Sequence, residues 1–250
     1  MLTEPFAHGT SILHGLDPRL RVVAATTFST IVALSYGYPV LIAALAVALL
    51  MVVIGGLNAK NLLKRLLLIN GFVFLIWVIL PLTFPGEIAA TWGPLRFYRP
   101  GIMLSTQITL KSNAIVLALI ALIATMPFAT LGHSLHRLGL PDKLVFLLLM
   151  SYRYVFVIEQ EYHRLIRAAK MRGFQPKTNR HTYQTFAYMV GMLFIRSADR
   201  GERVYKAMRC RGFRDKFYSL REFHATPTDA VFAMIMAVVM VSFIYLEWTG

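Results

Sequence analysis

Long apolar runs separated by short polar stretches dominate the chain. Five of them approach the ~20 residues that a helix needs to cross a bilayer. These runs occupy residues 20–36, 40–56, 66–84, 102–126 and 230–248. Proline and glycine stand beside several of them, as they do at helix ends. The pattern predicts an all-α polytopic membrane protein with about five transmembrane helices.

The segment between the fourth and fifth runs, residues 127–227, is polar and strongly basic. It holds 18 of the 26 Lys and Arg residues and 7 of the 12 Asp and Glu residues. Apolar residues at helical spacing still predict two long helices there, at about 143–172 and 182–211, each apolar first and basic at its end. The expected organisation is 1–126 for the lead-in and four membrane helices, 127–227 for the polar helical region, and 228–250 for the last membrane helix.

Composition agrees with a membrane protein, since 57% of the residues are hydrophobic and only 15% are charged. A soluble domain has about 45–50% apolar and about 25% charged residues. The net charge of +14 therefore does not indicate nucleic-acid binding, because excess Lys and Arg in membrane proteins marks cytoplasmic loops and contacts with membrane lipid. A basic loop at 57–65 and the basic region 127–227 are both expected in the cytoplasm. This topology places the N-terminus inside and the C-terminus outside.

One eleven-residue pattern occurs twice in the basic region, 39 residues apart. The copies read RLIRAAKMRGF at 164–174 and RVYKAMRCRGF at 203–213. Their small, basic and glycine positions are Ala168, Arg172 and Gly173, and Ala207, Arg211 and Gly212. Alanine and arginine four apart share one helix face, and glycine suits the left-handed turn that ends a helix. Helix-end electrostatics explains one such Arg, at ~0.3–1 kcal/mol. Because the surface is repeated, we predict two matching docking surfaces.

Three further candidate functional residues, all of them charged, lie within the long helices. Arg153 interrupts an apolar half, where it either serves a partner subunit or forms an ion pair with Glu159 or Glu161. Asp199 and Arg200 are expected to form structural ion pairs between the two long helices.

The sequence offers no candidate active site. His133 and His136 share a helix face, but a metal site needs three or four ligands, and no further ligand stands at a matching spacing. Cys210 is the single cysteine, which excludes an internal disulfide. Neither a phosphate-binding loop nor a Ser-His-Asp arrangement is present. We expect no catalytic residue, no bound metal and no cofactor.

The chain resembles the transmembrane T component of an energy-coupling-factor (ECF) transporter of the cobalt- or nickel-uptake type, the group that includes CbiQ, NikQ and EcfT. The resemblance rests on SILHGLDPRLR at 11–21, PFATLGHSLHRLGLP at 127–141 and the two Ala-x-x-x-Arg-Gly motifs. It implies a non-enzymatic subunit of an ABC importer in the inner (plasma) membrane. That subunit couples two cytoplasmic ABC ATPases, through Arg172 and Arg211, to a metal-binding membrane subunit, the S component. The apolar halves at 144–158 and 186–195 would hold the S component.

Other functions stay open at this point. A T component of a vitamin-type ECF importer would share the same motifs. A membrane enzyme acting on lipid would use the basic region for head groups, but it needs a catalytic constellation. A self-sufficient carrier favours inverted repeats, whereas we interpret this repeat as parallel.

Overall fold

The computed structural model describes residues 9, 11–84, 87–92, 95–214 and 226–249. Within them the chain forms nine helices and one antiparallel hairpin of two strands. The helices are α1 (Ile12–Gly15), α2 (Pro18–Leu34), α3 (Tyr38–Ile54), α4 (Ala59–Thr83), α5 (Arg99–Leu122), α6 (Phe128–Arg137), α7 (Asp142–Met171), α8 (Arg180–Cys210) and α9 (Pro227–Thr249). The strands are β1 (Ile88–Trp92) and β2 (Leu95–Tyr98). The predicted all-α class is confirmed, with the hairpin as its one addition in the described residues. Residues 1–8 and 10 of the predicted lead-in, and residues 215–225, lie outside them.

All five apolar runs are helical. Among the described residues, α4, α5 and α9 are long and apolar enough to cross a membrane, and α3 is a shorter apolar helix. Two local predictions are wrong. The basic stretch predicted as a loop begins α4, because the Asn58 side chain caps that helix by accepting a hydrogen bond from the Lys60 amide at 3.1 Å. The stretch at 85–100, whose proline, glycine and aromatic residues predict an interfacial loop, contains the hairpin.

By their contacts, the described residues form two units. The first, here called the bundle, comprises the described residues up to 134 and 226–249. The second, here called the long-helix unit, comprises residues 135–214 and contains α7 and α8.

Small residues line the core of the bundle, where α2, α3, α5 and α9 meet. Fully buried alanines are Ala25, Ala44, Ala48, Ala114, Ala118 and Ala121. Small side chains let helix backbones approach closely, which is the usual basis of helix packing in membranes. Phe28 of α2 and Phe243 of α9 fill the remaining space, with ring centroids 6.0 Å apart. Beside this core, α4 packs on α5, and Asn70 and Asn113 exchange amide hydrogen bonds of 3.1 and 3.0 Å.

Helix α9 lies parallel to α2 and binds both of its ends. At the start of α2, Asp229 accepts a hydrogen bond from the Asp17 amide at 2.8 Å. Beyond the end of α2, Glu247 accepts hydrogen bonds from the amides of Tyr36 and Gly37, at 2.7 and 3.2 Å. The beginnings of α2 and α9 therefore lie at the same end of the bundle.

One cation of α2 and one of α5 bind backbone carbonyls near the end of the other helix. Lys111 donates to the Ala33 carbonyl at 3.0 Å, in the last turn of α2, and lies over the Tyr36 ring. A cation is favoured there by the partial negative charge of the helix end. Arg21 is buried and donates to the Leu122 carbonyl at 2.9 Å, which ties α2 to the end of α5. Both cations therefore have a role within the bundle.

Asp17 and Asp142 stand in sequence where an aspartate can cap a helix, and one of them does. Asp17 caps α2 by accepting from the Arg19 amide at 2.8 Å. Asp142 is instead the first residue of α7, and its carboxylate lies 3.0 Å from Nδ1 of His136. The carboxylate is directed towards the preceding helix, and Pro141 rather than Asp142 holds the cap position of α7.

Candidate docking site on the two long helices

Helices α7 and α8 run antiparallel, and aromatic contacts at both ends fix their register. Phe146 near the start of α7 lies against Phe213, just past the end of α8, with 5.4 Å between ring centroids. Phe174, just past the end of α7, packs edge-on against Phe186 near the start of α8, at 5.9 Å. The two copies of the repeated motif therefore lie at opposite ends of the pair. The sequence-based interpretation of the copies as parallel is wrong in this respect.

Both copies end in the same backbone turn. Gly173 and Gly212 have φ angles of 82° and 81°, which lie in the left-handed region that glycine adopts without strain. The Gly173 amide donates to the carbonyl three residues earlier at 3.0 Å, and the Phe174 amide donates to the carbonyl five residues earlier at 3.1 Å. The corresponding distances at Gly212 and Phe213 are 3.0 and 3.0 Å. This is the Schellman motif, and it confirms both glycines as helix stops.

The residues predicted to dock are exposed at both ends. Ala168, Arg172 and Gly173 are exposed, and so are Ala207, Arg211 and Gly212. The guanidinium groups of Arg172 and Arg211 make no hydrogen bond or ion pair with a described residue. Met171 is 91% exposed, and Cys210 holds the same place in the second copy and is also exposed. We call residues 171–173 the α7 tip and residues 210–212 the α8 tip. Each tip presents an exposed guanidinium beside an exposed, weakly polar side chain.

Further exposed bases surround both tips. They are Arg164, Arg167 and Lys170 on α7, and Arg203, Lys206, Arg209 and Arg214 on or just after α8. Only part of this charge is neutralised nearby, for instance by Glu202, which lies 2.6 Å from Lys206 on the same helix. Clustered bases attract acidic surfaces and raise their association rates. The tips therefore suit partners with acidic or hydrogen-bond-accepting grooves.

The tips lie far apart. Phe213 is level with Phe146, so Arg211 is level with a residue about two positions further along α7. Arg172 follows some 24 residues later, which at 1.5 Å per residue places the two guanidinium-bearing positions about 35 Å apart along the pair. A single small groove cannot hold both tips.

A nearly buried carboxylate joins the middles of the two helices. The Glu161 side chain is 11% exposed, and its oxygens lie 2.5 Å from Arg196 and 3.7 Å from Arg200 of α8. Arg164 of α7 adds a contact at 3.4 Å. The hydrogen bond from Arg196 is the largest cause that holds the pKa of Glu161 below its ordinary value. The carboxylate is therefore charged at neutral pH, and charge-assisted hydrogen bonds of this kind are the strong ones.

Of the three charged candidates in the long helices, the structure places one as predicted. Arg200 forms the expected interhelical ion pair, with Glu161. Asp199 is exposed and forms no ion pair with a described residue. Arg153 is exposed as well and pairs with neither Glu159 nor Glu161 among the described residues. Sequence reasoning did not single out Glu161 as the joining residue, although its position as an acid among bases was a usable signal.

The first halves of both long helices expose apolar side chains. These are Leu144, Leu147, Val155 and Ile158 of α7, and Tyr183, Tyr188, Val190, Phe194 and Ile195 of α8. Gly191 lies within this surface, and a Cβ added there would meet no described atom within 4 Å. Large exposed apolar surfaces mark contacts with a membrane or a protein partner. The arrangement can bind partners at its tips and on its apolar surface.

The described residues do not assemble a metal centre. They contain no group of three His, Cys, Asp or Glu side chains that could hold a metal ion. His136 has a carboxylate neighbour in Asp142 at 3.0 Å, which makes an ion pair when the imidazole is protonated.

Comparison with known proteins gives this geometry a family context. The family model described as CbiQ, cobalt transport protein, matches residues 9–220. The energy-coupling factor transporter transmembrane protein EcfT of Acidaminococcus fermentans is 24% identical over 257 residues, which cover 96% of this chain and 94% of that protein. A Methanocorpusculum labreanum protein described as a fused cobalt transport protein, CbiMQ, is 30% identical over 61% of this chain and 28% of its own length.

One further relative is matched over only part of its length. An uncharacterized protein of Methanocaldococcus jannaschii is 28% identical over 50% of this chain, and the chain spans 46%, about half, of that protein. The match of the family model covers most of the chain, including α2 to α5, both long helices and both tips. The chain is a membrane protein that belongs to the CbiQ family of cobalt transport proteins, the family of the transmembrane T components of ECF transporters.

Proposed function

We propose that the chain is the coupling subunit of an ECF-type ABC importer for cobalt or nickel ions. In this role it is not a catalyst. It transmits the motion of two cytoplasmic ATPase subunits to a separate metal-binding S component in the membrane. The observation that carries the proposal is the pair of matching left-handed turns at opposite ends of two antiparallel helices. Each turn carries an exposed Arg that pairs with no described residue.

The spacing of the tips supports two ATPase sites rather than one. Two antiparallel helices that end in the same motif are related by an approximate twofold axis, and paired ATPase subunits are commonly related by such an axis. Each guanidinium would enter a groove of one ATPase, with Ala168 or Ala207 leaving room for the groove wall. The separation of about 35 Å then sets the spacing that the two grooves must match.

The exposed apolar halves of α7 and α8 are proposed to hold the S component. Their side chains are exposed, and at Gly191 the absence of a side chain would let a partner helix approach closely. Closure of the ATPases on ATP would displace the tips and, through the helices, tilt the S component. The surrounding bases would contact anionic lipid head groups as well as the ATPases.

We place the chain in the inner (plasma) membrane, with the N-terminus and the long helices in the cytoplasm. The parallel orientation of α2 and α9 supports an odd number of spans between the termini. Cys210 provides the test, because it is the only cysteine and is exposed. A membrane-impermeant maleimide should label it in inside-out vesicles and not in right-side-out ones. The opposite result contradicts this orientation.

The docking role is tested by Arg172→Glu, Arg211→Glu and the double variant. Each single change should reduce co-purification of the ATPases and metal uptake, and the double variant should abolish both. The double variant Lys177→Glu and Arg180→Glu is a matched control, since it makes the same charge change at exposed positions outside the tips. Retained ATPase binding and uptake in the tip double variant would refute the docking role.

A vitamin-type importer is the second candidate, because T components of that type share the motifs on which the resemblance rests. Uptake assays in vesicles that contain the chain, its ATPases and its S component separate the two. Accumulation of labelled cobalt or nickel supports the metal importer. Accumulation of a vitamin without metal supports the alternative.

A further inference from the structure

Among the described residues, contacts of two kinds hold the two long helices together. The outer two are the aromatic pairs Phe146–Phe213 and Phe174–Phe186. The middle one is the ion pair of Glu161 with α8. Along α7, Glu161 stands 15 residues after the first aromatic contact and 13 before the second, or about 20 Å from each. The carboxylate therefore occupies the midpoint of the pair.

The geometry around Glu161 couples rotation of one helix to the other. Its carboxylate binds two arginines one turn apart on α8, Arg196 and Arg200, and a third, Arg164, on its own helix. Contacts one turn apart lie on the same face of a helix, so together they fix the rotation of α8 about its axis. An aromatic contact, by contrast, tolerates sliding because it has no fixed donor and acceptor atoms.

A gap beside the carboxylate leaves room for movement about this point. It has a volume of about 210 Å³ and lies between the two helices. Its wall on the α7 side includes Tyr154 and Ile158, and its wall on the α8 side includes Gly201. The helices are thus joined by charge at this level rather than by close packing, which allows a change of crossing angle without breaking a packed core.

We infer that Glu161 is the pivot of the long-helix unit: its ion pairs with Arg196 and Arg200 make a displacement imposed on one tip move the other helix. This inference rests on the proposed coupling function and deepens it. Glu161 touches neither ATP nor metal in this account. It is a positioning residue, and it acts through the angle between α7 and α8.

The test uses Glu161→Gln, which keeps the size of the side chain and removes its charge. With the ATPases and S component present, we expect ATPase co-purification as in the wild type, continued ATP hydrolysis, and metal uptake at least tenfold lower. Glu202→Gln is the matched control, because it removes an ion pair that lies within α8 alone. The control should transport like the wild type.

A charge exchange keeps the test decisive if the single variant is damaged. Glu161→Arg combined with Arg196→Glu restores opposite charges across the pair and should recover a large part of the uptake that Glu161→Arg alone loses. Failure of the exchange to recover uptake contradicts the pivot. So does wild-type uptake in Glu161→Gln, or loss of ATPase binding in that variant, since the second result would assign Glu161 to folding.

Distances in the isolated chain separate this inference from the docking proposal. The native Cys210 and a Met171→Cys substitution carry one spin label on each tip. Wild-type Glu161 should give a single distance population near 35 Å, and Glu161→Gln should broaden it, while Glu202→Gln should not. An unchanged distribution overturns the pivot whether or not the tips bind ATPases. A broadened one supports it even if the docking proposal fails.

Discussion

Replacing Gly173 with alanine should weaken the α7 tip, whereas the same replacement at Gly191 should strengthen α8. A Cβ at either position meets no described atom within 4 Å, so steric clash contributes nothing. The backbone conformation alone therefore decides whether alanine raises or lowers the stability at each position. Gly173 has φ of 82°, and Gly191 lies within the long helix α8.

The magnitudes follow from the backbone. A side chain in the left-handed region costs roughly 1–2 kcal/mol, and the stiffer unfolded chain returns about 0.4–1 kcal/mol. The net loss at Gly173 is therefore about 1 kcal/mol. In a helix interior, alanine is favoured over glycine by about 0.5–1 kcal/mol. Gly212, with φ of 81°, should behave like Gly173.

Hydrogen exchange of the purified chain in detergent measures both effects. The amides of Gly173 and Phe174 close the turn at 3.0 and 3.1 Å, so they report its opening directly. A loss of 1.4 kcal/mol is tenfold in an equilibrium, and Gly173→Ala should speed their exchange about fivefold. Gly191→Ala should slow exchange around its own position by a similar or smaller factor.

Gly173→Asn is the control, because asparagine tolerates the left-handed region better than other residues with a Cβ. Its exchange should stay within about twofold of the wild type. If Gly173→Ala exchanges at the wild-type rate, the chain does not depend on the left-handed turn. If Gly173→Ala instead exchanges faster, metal uptake that falls in Gly173→Ala and is retained in Gly173→Asn would link the turn to function.

Three further predictions concern the bundle. Asp229→Ala removes the acceptor of the Asp17 amide and of two Thr226 donors, at 2.8, 2.7 and 2.7 Å. The free energy of unfolding should fall by about 1–3 kcal/mol, and the melting temperature in detergent should fall by several degrees. An unchanged melting temperature would contradict this prediction. Lys111→Met leaves the end of α2 without its cation and should raise hydrogen exchange at 33–37, which Lys111→Arg should largely prevent. A double-mutant cycle of Asn70→Ala and Asn113→Ala, measured by unfolding in lipid, should give a coupling of about 0.6 kcal/mol, and zero coupling would show that the amide pair does not stabilise α4 against α5.

The helices and their ends could be predicted because their signals are local. The apolar runs, the glycines of the two tips and the Asp17 cap depend only on neighbours in sequence, and the structure reproduces them. Asp142 is the first residue of α7 rather than its cap, and its carboxylate lies 3.0 Å from His136, a contact that spacing alone does not reveal. The hairpin at 88–98 was missed because proline, glycine and aromatic residues suggested an interfacial loop.

The pairing of the long helices could not be predicted, because it depends on their register. Glu161 has Arg164 and Arg167 as bases close by in sequence, yet its shortest ion pair is with Arg196, 35 residues away. Arg153 looked like a partner for Glu161 when only sequence distance was considered. It is exposed on another part of α7. Only the antiparallel register, fixed by the aromatic pairs, shows which bases face the carboxylate.

The antiparallel register also changes what each repeat can transmit. Phe174 follows the α7 tip directly, and it packs against the apolar first half of α8 rather than that of α7. Phe213 likewise ties the α8 tip to the apolar first half of α7. A force on one tip therefore reaches the apolar surface of the opposite helix through a direct ring contact. It reaches the apolar surface of its own helix only along about four helical turns. Since both tips are linked in this crossed way, a symmetric pull by two partners would act on both apolar halves together. The duplication supplies two exposed tips and also couples each of them to the surface formed by the other copy.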